Sequence, residues 1–156
     1  MLPCLKPEAV AAGMSEPEAA DIDVNALHQG YLRGLRQHGG QVLTNAEVMA
    51  VRREGDVWQV TLADGRVFAA PTIVNAAGAW ADVVAGLAGV PPIGLEPRRR
   101  TAFTFPVPEG VDATHWPAVI GIDESFYFKP DAGQLLGSPA NADPTHPHDV
   151  VPEELD

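Results

Sequence analysis

One cysteine in 156 residues, Cys4, has no intrachain partner, which excludes a disulfide framework and a thiolate metal cluster. Basic residues are scarce. Ten Lys and Arg stand against 21 Asp and Glu, and the resulting formal charge of −11 opposes the phosphate backbone of nucleic acid and anionic membrane surfaces. Long hydrophobic runs are missing too: none approaches the roughly 20 residues a membrane helix needs. The stretch Met1–Pro7 lacks the basic region and apolar core of a secretion signal. No repeat and no low-complexity tract occurs. These absences predict a soluble, cytoplasmic protein whose partner is a small molecule, with no nucleic acid and no membrane span.

What is there suffices for a core. With 46% hydrophobic residues, the chain can build one ordinary domain or parts of two small lobes. Asp21 or Asp23 is a good N-cap, and Val24, Leu27, His28, Tyr31, Leu32 and Leu35 recur at helical spacing up to Gly39-Gly40. His28, on that apolar face, is expected in the core. Residues 41–44 read as a short strand. Glu47–Arg53, Val57–Leu62 and Arg66–Ala69 read as an antiparallel meander, with Asp64-Gly65 as a two-residue hairpin signal. Ile73 and Val74 are expected to start a buried strand feeding a helix over Ala79–Leu87. Beyond the stiff Pro91–Pro97 connection, residues 99–105, 118–122, 126–129 and 134–136 read as strands. A lobe boundary falls near Leu95, and the acidic, proline-rich tail from Asn141 closes with no further element.

The stretch Thr72–Asp82, TIVNAAGAWAD, sets its smallest residues where a strand passes to a helix. Ala76, Ala77 and Gly78 would let backbone come close to a flat ligand, with Trp80 as an apolar flank. The competing explanation is that small residues simply permit tight packing of helix on strand.

The order helix, Gly-Gly, strand at Glu47-Val48, meander, then Asn75-Ala-Ala-Gly-Ala-Trp80 resembles the flavin-dependent family that includes D-amino-acid oxidase, glycine oxidase and sarcosine oxidase. Leu95–Thr101 looks like that family's crossing into its substrate lobe. Phe126–Gly133 with Leu135–Ser138 resembles its Tyr-x-x-Pro hairpin. The resemblance covers nearly the whole chain. It implies an α/β fold: part of an FAD-binding, Rossmann-like domain with a three-stranded antiparallel meander, joined to part of a mainly antiparallel β substrate lobe. By the same match, residues 1–22 would be a strand region of the substrate lobe, 23–94 the second half of the FAD-binding domain, and 95–156 more of the substrate lobe. No Gly-x-Gly-x-x-Gly for the FAD pyrophosphate occurs in these residues. The chain therefore reads as an internal fragment, inactive alone and prone to self-association through unpaired strand edges.

The implied cofactor is FAD, and the implied reaction is oxidation of the C–N bond of an amino acid or N-methyl amine by hydride transfer to the flavin. Val48 matches a family position whose backbone meets the adenine end of FAD. Ala76, Ala77, Gly78 and Trp80 match the turn beside the flavin. Tyr127 and Arg99 match substrate-facing positions; Arg98 and Arg100 flank the latter, and a structural ion pair competes with each arginine's role. His146-Pro-His148-Asp149 has only two imidazoles in an acidic tail, and no metal is assigned to it. Two alternatives stay open: a non-catalytic binding domain derived from such an enzyme, and a flavin-dependent hydroxy-acid or glycerol phosphate dehydrogenase.

Overall fold

The computed structural model describes residue 2 and residues 4–151 of the chain, which divides into two units, Met1–Glu47 and Val48–Asp156. The first unit is built on one helix, α1 (Val24–Gln37). Asp23 caps it by accepting the Ala26 amide at 2.8 Å. At the other end Gly40 N–H reaches Leu35 O (2.9 Å) and Gly39 N–H reaches Arg36 O (3.0 Å), a Schellman closure that ends the helix at the glycine pair. No residue of α1 is buried, and His28 is exposed, contrary to the expected core position. Helical periodicity places a side chain on a face; only a neighbouring surface can bury it. The strand region expected over residues 1–22 does not form among the described residues, whose one regular element there is a 3-10 turn, Pro7–Ala9. Residues 41–44 likewise stay irregular. A strand exists by pairing, and among the described residues the first unit contains no strand edge to pair with.

The second unit opens with the expected meander, β1 (Val48–Glu54), β2 (Val57–Leu62) and β3 (Val67–Ala70), in the order β1-β2-β3 and antiparallel throughout. β-branched and aromatic residues dominate β2, as a half-buried pleated surface favours. The ladder runs from Ala50↔Thr61 to Glu54↔Val57, with an irregularity between Val48 and Ala50. The Leu62–Arg66 hydrogen bond that closes the hairpin encloses three residues, Ala63–Gly65, instead of two. Leu62 N–H bonds Arg66 O at 2.9 Å, and Gly65 N–H bonds Leu62 O at 3.0 Å. With Gly65 at φ 84°, this is a type I turn followed by a left-handed residue. Asp64 stabilises it by accepting Arg66 N–H (3.0 Å) and pairing with Arg66 Nε (2.7 Å).

After the meander, Ile73 and Val74 form no strand, and Val74 is exposed. The helix that follows, α2 (Ala81–Leu87), packs against β1 and ends in a second Schellman closure, with Val90 N–H on Ala85 O at 2.9 Å. The rest is antiparallel β. Strands β5 (Phe103–Phe105), β6 (Val119–Ile120), β7 (Tyr127–Asp131) and β8 (Gln134–Ser138) make one sheet in the order β5-β8-β7-β6. Its tightest region is β8, where Leu135 and Ser138 are buried. Gly137 lies so close to the Phe105 ring that an added Cβ would stand 3.0 Å from it. A separate pair joins β4 (Arg98–Arg99) to β9 (Asp143–Pro144), so the tail does contain a pairing element that its composition concealed. Side chains reinforce that pair: Ser138 Oγ–H donates to Thr101 O, and Asn141 Oδ1 accepts Thr101 N–H at 2.9 Å.

Candidate functional site

The turn Asn75–Trp80 is shaped by one side chain. Asn75 Oδ1 accepts the Ala77 amide at 3.3 Å, and its Nδ2 donates to Ala81 O at 2.8 Å. Asparagine suits the position because it alone among short side chains offers an acceptor and two donors from one planar group. Trp80 N–H then bonds Ala77 O (3.0 Å), so Gly78–Trp80 forms a single 3-10 turn leading into α2.

Within the turn Gly78 takes φ 56°, the left-handed region that side chains avoid. An added Cβ there would meet no atom within 4 Å. No protein atom packs against Gly78 on that side, and its backbone faces open space. Ala76 and Gly78 are exposed, Ala77 is half-buried, and Trp80 is 40% exposed, too open for a core tryptophan.

Beneath the turn, Val51 and Trp58 of the meander and Val84, Ala85 and Ala88 of α2, together with Asn75, line an apolar cavity of about 160 Å³. Val48 begins β1, half-buried opposite Leu62 and beside the ladder irregularity. Such irregularities re-aim backbone groups.

Tyr127 and Arg99, expected on the substrate side, lie in different sheets. Tyr127 opens β7, half-buried, opposite Ile120 on one side and Ser138 on the other. By alternation its ring occupies the face opposite the stacked Phe126 and Phe128 rings, whose centroids are 6.4 Å apart. Arg99 sits in β4, half-buried, with Nη2 donating to Val151 O at 3.3 Å. Beside it, Arg98 forms an ion pair with Glu96 at 2.7 Å and donates from Nη1 to Ala142 O at 3.3 Å, while Arg100 Nε donates to Asn141 O at 3.1 Å. The three arginines thus each tie the crossing segment to residues 141–151. His146 and His148 stack at 4.5 Å, and His148 Nδ1 lies 2.7 Å from His146 O. Among the described residues, no group of three or more His, Cys, Asp or Glu is placed to hold a metal ion.

Sequence reasoning missed Asp82. Its carboxylate accepts the amides of Ile93 (3.0 Å), Gly94 (2.9 Å) and Leu95 (2.9 Å). The Ile93 contact foremost, with those of Leu95 and Gly94, holds the carboxyl below the ordinary aspartate range against an opposing desolvation effect. An acid in a first helical turn is too common to signal such a contact.

The model of the FAD dependent oxidoreductase family, DAO, matches residues 2–156, and the chain belongs to that family. Among curated proteins it is similar to dimethylglycine dehydrogenase, mitochondrial, of Mus musculus and of Rattus norvegicus. Each is 28% identical over 142 residues, covering 89% of this chain and 16% of the relative. The chain thus spans about a sixth of the length of the curated relatives it matches. No helix among the described residues is long and apolar enough to cross a membrane.

Proposed function

We propose that this chain supplies the flavin-facing turn and part of the substrate lobe of an FAD-dependent oxidoreductase acting on the C–N bond of an amino acid or N-methyl amine. The observation that carries the reading is Gly78: a left-handed glycine with open space where a side chain would be, inside a turn held rigid by Asn75. That geometry fits the flavin end of FAD, because a flat ring can approach exposed backbone without displacing protein atoms. The family match and the similarity to two proteins named dimethylglycine dehydrogenase support the substrate class.

FAD, when bound, supplies the electron acceptor for the C–N oxidation. The chain's own residues bind and orient. Ala76, Ala77 and Gly78 present backbone, Trp80 walls one side, and the backbone of Val48 meets the adenine end. Tyr127 holds the substrate carboxylate through its hydroxyl, with Arg99 as a second partner for the same group. A cytoplasmic setting, drawn from charge and cysteine content, belongs to this proposal as well.

The test is anaerobic reduction of flavin bound to a version of the protein that also carries a pyrophosphate-binding glycine loop, using glycine, its N-methyl and N,N-dimethyl derivatives, a hydroxy acid and glycerol phosphate. Bleaching by the amines alone is the expected result, while bleaching by the hydroxy acid or glycerol phosphate alone would replace the C–N reading with C–O oxidation. Tyr127→Phe should raise KM for the amine and leave the flavin spectrum unchanged, a loss of about 1.5–3 kcal/mol for one hydrogen bond to a charged group. Unaltered kinetics would remove Tyr127 from the site.

A further inference from the structure

Three successive backbone amides converge on one carboxylate only if the chain curls around it. At Ile93–Leu95 it does so through Gly94 at φ 80°, forming a concave nest that the Asp82 carboxylate fills. Two hydrogen-bonded links run outward from this point. On one side Asp82 directly follows Ala81, whose carbonyl accepts Asn75 Nδ2 and thereby belongs to the frame of the Gly78 turn. On the other, Leu95 leads within three residues to β4, where Thr145 N–H bonds Pro97 O at 3.1 Å and Arg98 and Arg99 pair with β9. Among the described residues, the hydrogen bonds that tie the start of α2 to the crossing segment converge on the Asp82 carboxylate, so the register between them passes through Asp82.

We propose that Asp82 is a positioning residue: its carboxylate locks the crossing segment to the helix that follows the Gly78 turn, and so sets where the strand carrying Arg98 and Arg99 begins relative to that turn. The role in flavin chemistry rests on the function proposed above, whereas the mechanical role does not. A carboxylate is suited to it, having acceptor sites for all three donors and no hydrogen to set against them. Asparagine at this position would turn an amide hydrogen toward at least one of the three N–H groups.

The experiment compares the parent with Asp82→Asn, Asp82→Ala and Asp82→Glu, after far-UV circular dichroism has shown that each is folded. Amide hydrogen exchange is measured first, without FAD. Asp82→Asn and Asp82→Ala should speed exchange at least about tenfold at Ile93, Gly94 and Leu95, and also at Arg99, while Val51 and Val60 in the meander keep parental protection. Asp82→Glu, which restores the charge on a longer stem, should recover part of the loss. Exchange unchanged at Ile93–Leu95 would overturn the proposal. So would faster exchange confined to those three residues with Arg99 protected as in the parent, since Asp82 would then be a local brace. In a flavin-loaded version of the protein that also carries a pyrophosphate-binding glycine loop, Asp82→Asn should retain flavin and raise KM for the amine more than it lowers kcat. If a version of the protein that also carries a pyrophosphate-binding glycine loop takes up no flavin, while protection at Arg99 still depends on Asp82, the flavin reading fails and the positioning role stands.

Discussion

A single residue, Gly78, bears most of the argument about function, and its requirement is conformational before it is steric. At φ 56° any side chain incurs about 1–2 kcal/mol of strain even though nothing lies within 4 Å of its Cβ. In a version of the protein that also carries a pyrophosphate-binding glycine loop, Gly78→Val should therefore lower stability by about that amount and lower FAD retention, with the far-UV spectrum nearly unchanged. Equal flavin content in variant and parent would separate Gly78 from the cofactor. Asn75 was visible in the sequence only as a member of the motif. Its two hydrogen bonds, to Ala77 and Ala81, span two and six residues, and residue type alone does not announce them. Trp80 shows the reverse case: an aromatic residue on a helical stretch reads as core, but the short turn that carries it leaves it 40% exposed.

Among the elements, the β7–β8 hairpin is tight and carries a correctable defect. Asp131 pairs with Gln134, and both intervening residues have positive φ, 47° at Ala132 and 82° at Gly133, as a type I′ turn demands. Ala132 is the strained member. Ala132→Asn, which tolerates this region better, should raise stability by about 0.5–1 kcal/mol in a urea melt with the slope unchanged. A melt that shifts downward would show that Ala132 serves some other purpose. The connection after α2 should respond to pH. Folding holds the Asp82 carboxyl below its ordinary value of 3.8, so its contribution is full above that value and is lost as pH falls through the lowered one. Protection of the Ile93, Gly94 and Leu95 amides, corrected for intrinsic exchange, should be flat from about pH 7 to 5 and decline below about pH 4. Protection that holds to about pH 2 would mean the amides do not depend on the ionised carboxylate.

For the whole molecule, the ledger of exposed apolar side chains matters most. Val24 and Tyr31 of α1 are each 72% exposed, and Val74 and Ile93 are each 82% exposed. Such surface favours association. The 156-residue chain should self-associate with rising concentration in sedimentation velocity, and it should bind FAD more weakly than micromolar, because these residues hold no glycine loop for the two pyrophosphate charges. A monodisperse monomer, or fluorescence titration giving about −8 kcal/mol or better, would contradict those two expectations respectively.

Features set within a few residues were determined by the sequence itself. The Asp23 cap and Gly39-Gly40 bound α1 at both ends, β2 runs Val57–Leu62 as its β-branched and aromatic composition predicts, and the Asn75–Trp80 motif marks both the family and the turn. Only the tertiary structure decided what depends on a distant partner. Thr72–Val74 and residues 41–44 have strand composition yet no strand beside them, so they stay irregular. Asp143-Pro144 has loop composition, yet it pairs with Arg98-Arg99 because the arginines and Asn141 hold the two segments together. The Asp82 clasp on Ile93–Leu95 is of the same kind. Capping and turn chemistry act through neighbours along the chain and can be read there, whereas pairing, burial and a carboxylate's choice of amides depend on which segments the folded backbone brings together.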